Sequence, residues 1–492
     1  MTDAAAPMPD LAGIPASIPA TDPLAPYDAV LLLSYGGPRR PEDVLPFMRN
    51  ATAGRGVPDS RLLEVSGHYQ GFGGASPINA RNAELRDALQ ARLAERGSTL
   101  PIVVGNRNWH PFVSQALREL ADAGARRVLA LPTAAFGSYS GCRQYREDLA
   151  GAAALLAAGA DGSTGDGFEA DAAARVGGEG GAPVDLTVDK TRPYYNTPGL
   201  LEANVDAIVE AYGTLAEQGV AAADVRLVLV THSIPLGMEA GSAPTPESYG
   251  ASESAGAGQS AGPVGLREPG VAADLSTEVS YVAQHRALAA ILVPEVARRL
   301  GLEEVESDLV YCSRSGPPQA RWLEPDVNDH LEALAAGQLT DGSPADRSGG
   351  VVVAPFGFIS DHMEVVFDLD TEAAQTARDL GMPYARAATV GTHPAFVDSL
   401  VDILIERAAV ARGEDVHPAS TTGVGPFHTV CPPSCCRSGT HHPGRHSRHG
   451  VDGAAHESAA GHQSAASGSC RPASAEPESL KPASCGRMKE KR

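Results

Sequence analysis

Eight short runs of Val, Leu, Ile and Ala recur along the chain, each too brief for a buried helix, and longer stretches of helical spacing separate them. In the first half they are "AVLLLS" (29–34), "PIVVG" (101–105), "RRVLALP" (126–132) and "VDLTV" (184–188). In the second half they are "VRLVLV" (225–230), "DLVYC" (308–312), "GVVVAP" (350–355) and "PYARAATV" (383–390). Runs that are apolar on both faces read as strands of parallel sheets covered on both sides. The intervening stretches carry helical periodicity: in "NAELRDALQARLAERG", Leu85, Leu89 and Leu93 fall at i, i+4 and i+8 before a closing Gly. Four strands and then four more predict an α/β fold of two Rossmann-like domains, each a four-stranded parallel sheet flanked by helices.

A chain of 492 residues exceeds one compact core. Residues 156–182 and 240–272 are rich in Gly, Ala, Ser and acids without periodicity, and they read as disordered insertions in surface loops, which chain entropy tolerates. The first domain then spans 26–195 and the second 196–412. Residues 1–25 are broken repeatedly by Pro, lack the basic and apolar regions of a secretory signal, and are expected to be disordered. The stretch 413–492 reads as a low-complexity tail containing Cys and His. No run of about 20 apolar residues occurs, so a cytoplasmic protein is expected. The net charge of −21 and pI near 5.1 exclude a nucleic-acid or anionic-membrane partner, because an acidic surface repels phosphate, and favour a small ligand. Seven cysteines, an odd number, suit reduced thiols or metal ligation better than a disulfide framework.

Ligands of open α/β sheets bind beyond the carboxyl ends of the strands. His232 lies there, just past "VRLVLV", and an imidazole can take a proton or bind a divalent metal near neutral pH. A histidine merely hydrogen-bonded at a strand end would look the same. In "GFISDHMEVVFDLDTE" (357–372), a helix capped by Ser360 would align Glu364, Asp368 and Glu372 on one acidic face. Such spacing more often marks a solvated face, but Met363, Val365, Val366 and Phe367 crowd Glu364 and predict a partly buried carboxyl with a raised pKa. Tyr35 directly follows the first strand, and "SGHYQGFGGASPIN" offers His68, Tyr69 and Ser76 in a Gly-rich bend. The bend nearly imitates a dinucleotide fingerprint, yet Ser76 replaces the third Gly and no strand leads into it, so NAD is discounted. A flat, partly apolar ligand with acidic substituents fits it better.

The strings "LLLSYGGP", "HYQGFGGASPIN", "GNRNW", "SYSGCRQYRED", "THSIP", "SRSGPP", "WLEPDV", "FGFISDHMEVVFDLD" and "ATVG" occur in this order between residues 26 and 411. Together they resemble the ferrochelatases, in particular the actinobacterial coproporphyrin III ferrochelatase type. The resemblance implies two chelatase-like domains with a porphyrin between them, and insertion of Fe2+ into coproporphyrin III for haem b synthesis. It implies that His232 and Glu364 form the catalytic, iron-binding pair, His232 as proton acceptor, with Asp368 and Glu372 as a conduit for protons or metal. It places Tyr35, His68, Tyr69, Ser76 and Tyr145 at the porphyrin, Tyr35 as an axial oxygen to product iron, and Arg49 or Arg55 at a propionate. "HTVCPPSCC" resembles the cysteine cluster of members that carry a [2Fe-2S] centre, with Cys431, Cys435, Cys436 and Cys142 as the four thiolates. Adventitious zinc binding by the Cys- and His-rich tail is the alternative. Cys312 reads as core, and Cys470 and Cys485 as non-ligands. The implied partners are coproporphyrin III and Fe2+, with transient contact with other haem-pathway enzymes. Competing readings are a protoporphyrin IX ferrochelatase, a chelatase for another tetrapyrrole or for a metal such as cobalt, and a non-catalytic porphyrin or haem carrier.

Overall fold

The computed structural model describes residues 19–53, 56–159, 182–242, 280–314, 320–345, 349–423, 425–431 and 435–437. Met1–His442 makes one compact unit; the second, Pro443–Arg492, lies outside the described residues, as do Arg55, Cys470, Cys485 and most of the two expected insertions.

Strands β1 (Ala29–Ser34), β2 (Ile102–Asn106), β3 (Arg127–Pro132) and β4 (Thr187–Lys190) form one parallel sheet in the order β2-β1-β3-β4. Strands β5 (Val225–His232), β6 (Ser307–Cys312), β7 (Gly350–Ala354) and β8 (Tyr384–Arg386) form the other, ordered β6-β5-β7-β8. The two sheets repeat one topology. In each, the first strand in sequence lies centrally, and the residues just past it stand at the rim where such sheets bind ligands. Tyr35 follows β1, and His232 ends β5 rather than following it.

The helices are α1 (Val44–Ala51), α2 (Asp59–Gly71), α3 (Ile78–Glu95), α4 (Val113–Asp122), α5 (Gln144–Ala157), α6 (Pro198–Glu217), α7 (Leu236–Ala240), α8 (Tyr281–Leu300), α9 (Val327–Ala335), α10 and α11 (Pro394–Ala411). Helix α10 starts at Met363–Val365, widens into a π-helix over Val366–Ala373 and closes over Ala374–Asp379. Ser360 therefore is not its N-cap, as expected from the sequence; the extended His362 holds that place. A second π-helix, Tyr139–Arg143, precedes α5. Each sheet thus feeds its third strand toward a π-turn, a geometry frequent at functional sites.

One apolar core runs unbroken between the sheets, from Leu32 and Leu129 of the first to Leu227 and Val352 of the second. Helices α6 and α11 pack so closely within it that a Cβ on Gly199 would fall 1.8 Å from the Ala395 carbonyl oxygen, so only Gly fits. The outer faces have separate cores, and Val44, Phe47, Met48 and Leu62 make a fourth, small cluster under α1 and α2. The folded body reaches further than the sequence suggested at both ends. Leu24 and Ala25 are buried at one end. At the other, Phe427 packs on Gly137, and Cys435 and Cys436 are buried.

Candidate active site and thiol cluster

The β5 ladder carries His232 to the sheet edge, opposite Cys312 of β6. Its Nδ1 lies 2.5 Å from the Ser233 carbonyl oxygen. A carbonyl only accepts, so Nδ1 carries the proton and the neutral ring keeps its lone pair on Nε2. That atom faces Glu364, whose Oε2 is 3.7 Å away. The same oxygen is 3.7 Å from His362 Nδ1. The side chains of His232, Glu364 and His362 are 30 %, 45 % and 20 % exposed, so the group opens to solvent.

These neighbours set the acidities. Burial opposes charge on His232, but the Glu364 carboxylate and the Ser233 carbonyl together raise its pKa. Burial likewise works against the Glu364 carboxylate, yet His232 and His362 hold it down at about 2, correcting the raised value expected from its apolar neighbours in sequence. The raised carboxyl is Asp368 instead, pushed up to about 7 by burial and by Glu364 and Glu372. Its carboxylate accepts from Ser313 Oγ, whose backbone is left-handed at φ 64°. Glu372 lies beyond on the π-turn, exposed, its pKa raised by burial. His362 keeps its charge low: burial dominates, and His232 adds to it. A base with a free lone pair, an ionised carboxylate and a carboxyl near neutrality form a graded series along one edge.

The first half faces this edge with α2. Tyr69 sits close enough to Glu364 and Asp368 that both carboxylates add to burial in raising its pKa. His68 stacks on Phe367 at 4.0 Å with an 11° interplanar angle, and Phe72 meets the same ring edge-on at 6.4 Å. Tyr35 is 39 % exposed and packs edge-on against Phe47. Ser76 is buried against the tight turn at Gly37, where a Cβ would come within 2.7 Å of it. Tyr145 is 5 % exposed and packs in the outer core of the first sheet. The Arg107 guanidinium covers its ring at 4.6 Å and stands 6.0 Å from the Tyr35 ring, so Arg107 links the two tyrosines. Arg49 pairs with Asp59 at 2.6 Å on an exposed face. His362, Ser313 and Arg107 were missed; all three stand in the strings singled out above, but nothing local in sequence reveals what they touch.

Cys142, on the π-turn before α5, meets the C-terminal cysteines. Cys142 contacts Cys431 and Cys436, and Cys435 contacts the same two, so the four thiols close a ring. Cys435 and Cys436 Sγ are 3.6 Å apart. Arg143, Arg146 and Lys190 line the same cavity, with Lys190 Nζ donating to Cys142 Sγ at 3.4 Å. Hydrogen bonds from Cys431 and Cys436, aided by Lys190, hold the Cys142 thiol well below its ordinary pKa despite burial. Cys312 is buried in β6 and stands apart from this ring, as its core reading required. Among the described residues, no group of three or more His, Cys, Asp or Glu side chains is spaced to hold a metal ion.

The ferrochelatase family model matches residues 27–408. Coproporphyrin III ferrochelatase from Streptomyces griseus subsp. griseus is 43 % identical over 412 residues, 84 % of this chain and 94 % of its own. The enzymes of the same name from Streptomyces coelicolor and Leifsonia xyli subsp. xyli are 42 % and 39 % identical, over 84 % and 85 % of this chain and 94 % and 92 % of theirs. With the match spanning both sheets and both edges of the candidate site, the chain belongs to the ferrochelatase family.

Proposed function

We propose that this metal chelatase, a lyase, inserts Fe2+ into coproporphyrin III in haem b synthesis, acting in the cytoplasm. The observation that carries the reading is the His232 lone pair, freed by the Ser233 carbonyl and facing an ionised Glu364. Two pyrrole N–H protons must leave as one Fe2+ enters. His232 Nε2 first binds the incoming metal transiently and, as the metal passes to the ring and frees its one lone pair, accepts the first proton; Glu364 shares the metal, and Asp368, near neutrality, passes protons outward toward Glu372. Tyr35, His68, Tyr69, Ser76 and Tyr145 hold the macrocycle in this reading, and the Tyr35 oxygen is the axial partner of the product iron. The choice of coproporphyrin over protoporphyrin IX is supported by the names of the relatives.

The thiol ring is proposed to hold a [2Fe-2S] centre through Cys142, Cys431, Cys435 and Cys436. Four thiolates shared between two irons need not converge on one point, as the ligands of a single ion must, and Lys190, Arg143 and Arg146 offset their charge. Such a centre supplies one-electron chemistry and a covalent tie between tail and body. Transient contact with other haem-pathway enzymes remains part of the proposal.

Anaerobic assay with Fe2+ and either coproporphyrin III or protoporphyrin IX decides the activity. Metalation of coproporphyrin supports it, preference for protoporphyrin corrects the substrate, and binding without metalation favours a carrier. Visible absorption and iron and sulfide analysis of anaerobically purified protein decide the centre; a colourless, iron-free, active preparation removes it.

A further inference from the structure

The end of β5 that bears His232 is fastened to the start of α8 by a closed circuit of hydrogen bonds. His285 Nδ1 donates to the Tyr281 carbonyl at 2.7 Å, and burial lowers the His285 pKa to about 3, so the ring is neutral. Its Nε2 must then accept from Thr231 Oγ1 at 2.8 Å. With that hydroxyl proton committed, Thr231 Oγ1 accepts from the Tyr281 phenol at 2.8 Å. The phenol proton is shared with the His232 carbonyl oxygen, 3.1 Å away. Phe136 of the first half stacks on the His285 ring at 3.7 Å and fixes its plane.

The same helix start reaches the thiol ring. Tyr281 N–H donates to Ser242 Oγ at 2.8 Å, and the fully buried Ser242 offers its carbonyl to Cys436 Sγ at 3.5 Å. Cys436 is held at φ 55°, left-handed for a residue with a Cβ, so its surroundings over-determine its place. We propose that Tyr281 is a positioning residue for His232 and that, through Ser242, it ties the placement of His232 to the state of Cys436. The inference rests on the roles proposed above for both residues. A Cys436 thiolate bound to iron has no S–H to donate, so loading exchanges the contact with Ser242; no electron transfer is invoked.

The test is a double-substitution cycle in the full chain. Tyr281→Phe removes only the phenol oxygen and lowers kcat for iron insertion about fivefold, the rate equivalent of one hydrogen bond, while KM for coproporphyrin III changes by less than about twofold. Cys436→Ala lowers kcat in the unsubstituted protein and changes nothing further beside Tyr281→Phe. Factors that simply multiply overturn the tie. Amide hydrogen exchange over residues 280–290 of iron-free, porphyrin-free protein reads it without turnover: faster exchange in Cys436→Ala supports it, and identical exchange overturns it. If Cys436→Ala does not fold, Ser242→Ala, which leaves the thiols intact, must reproduce both results or the tie fails. An unsubstituted protein that inserts no iron counts against the proposed function, and the exchange comparison still decides the tie.

Discussion

His232 Nε2 and Glu364 Oε2 stand 3.7 Å apart, too far for a direct hydrogen bond and close enough to share a cation or a proton. The His232 tautomer is fixed from behind by Ser233, so the lone pair cannot turn away without breaking that bond. Base and carboxylate come from different elements, the end of β5 and the first turn of α10, and meet only through the second sheet.

Glu364→Gln should move the acid limb of the pH–rate profile downward. His232 must be neutral to accept a proton, and Glu364 raises its pKa against burial, so the limb in the unsubstituted protein lies above the ordinary histidine range. Removing the anion leaves only the Ser233 carbonyl and Asp368 against burial and lowers the His232 pKa. The plateau rate should also fall on the order of 10²-fold. A kcat/KM profile whose limb stays or rises contradicts the assignment.

His232→Ala should cost at least about 10²-fold in turnover, the usual share of a general base. Coproporphyrin III binding, followed by its absorption band, should survive. Retained turnover would remove His232 from the reaction.

Ser313→Ala and Ser313→Gly separate two roles of one residue. Both delete the hydroxyl that holds the Asp368 pKa down, so it should rise further above about 7 and a rate limb assigned to it should move to alkaline pH. Only Gly relieves the left-handed φ of 64°, so it should be more stable than Ala by about 1 kcal/mol. Denaturant melts of the pair check this.

Gly199→Ala forces a methyl against the Ala395 carbonyl oxygen between α6 and α11. Backbone on both sides leaves little room to yield, and a loss of about 3 kcal/mol or more is expected. It should appear as a lower urea midpoint with an unchanged slope.

Cys142→Ala should abolish the visible absorption of a [2Fe-2S] centre and make the stretch 414–437 more susceptible to limited proteolysis. Phe427 against Gly137 and the Arg143 and Arg146 hydrogen bonds to the Cys435 and Cys431 carbonyls are then what remains to anchor it near the π-turn. Unchanged absorption would remove Cys142 from the ligand set.

The strand plan was readable because branched apolar runs buried on both faces have few other uses. Central strands such as β1 and β7 came within a residue of their expected limits. So did the edge strands β2 and β6, but the other two edges did not: β4 pairs over Thr187–Lys190 rather than 184–188, and β8 keeps only Tyr384–Arg386 of an eight-residue run. β4 and β8 each pair with one neighbour over only three or four residues, so that neighbour's register sets their length more than their own composition does. His232 and Glu364 could be picked out from their places beside strands. The acidity of Glu364 could not, because it depends on two imidazoles brought close by folding, and the π-turn under Asp368 leaves no mark in residue spacing.

The unbroken core between the sheets also determines what can swing. The two sheets share that core, whereas among the described residues α1 and α2 rest on a small cluster of their own, Val44, Phe47, Met48 and Leu62, which makes them the lip past which a flat macrocycle would pass under the proposed function. The His68–Phe367 stack latches that lip to the opposite shore. If the proposed function holds, departure of the metalated product past this lip is expected to limit turnover, and a kcat that falls as solvent viscosity rises checks it.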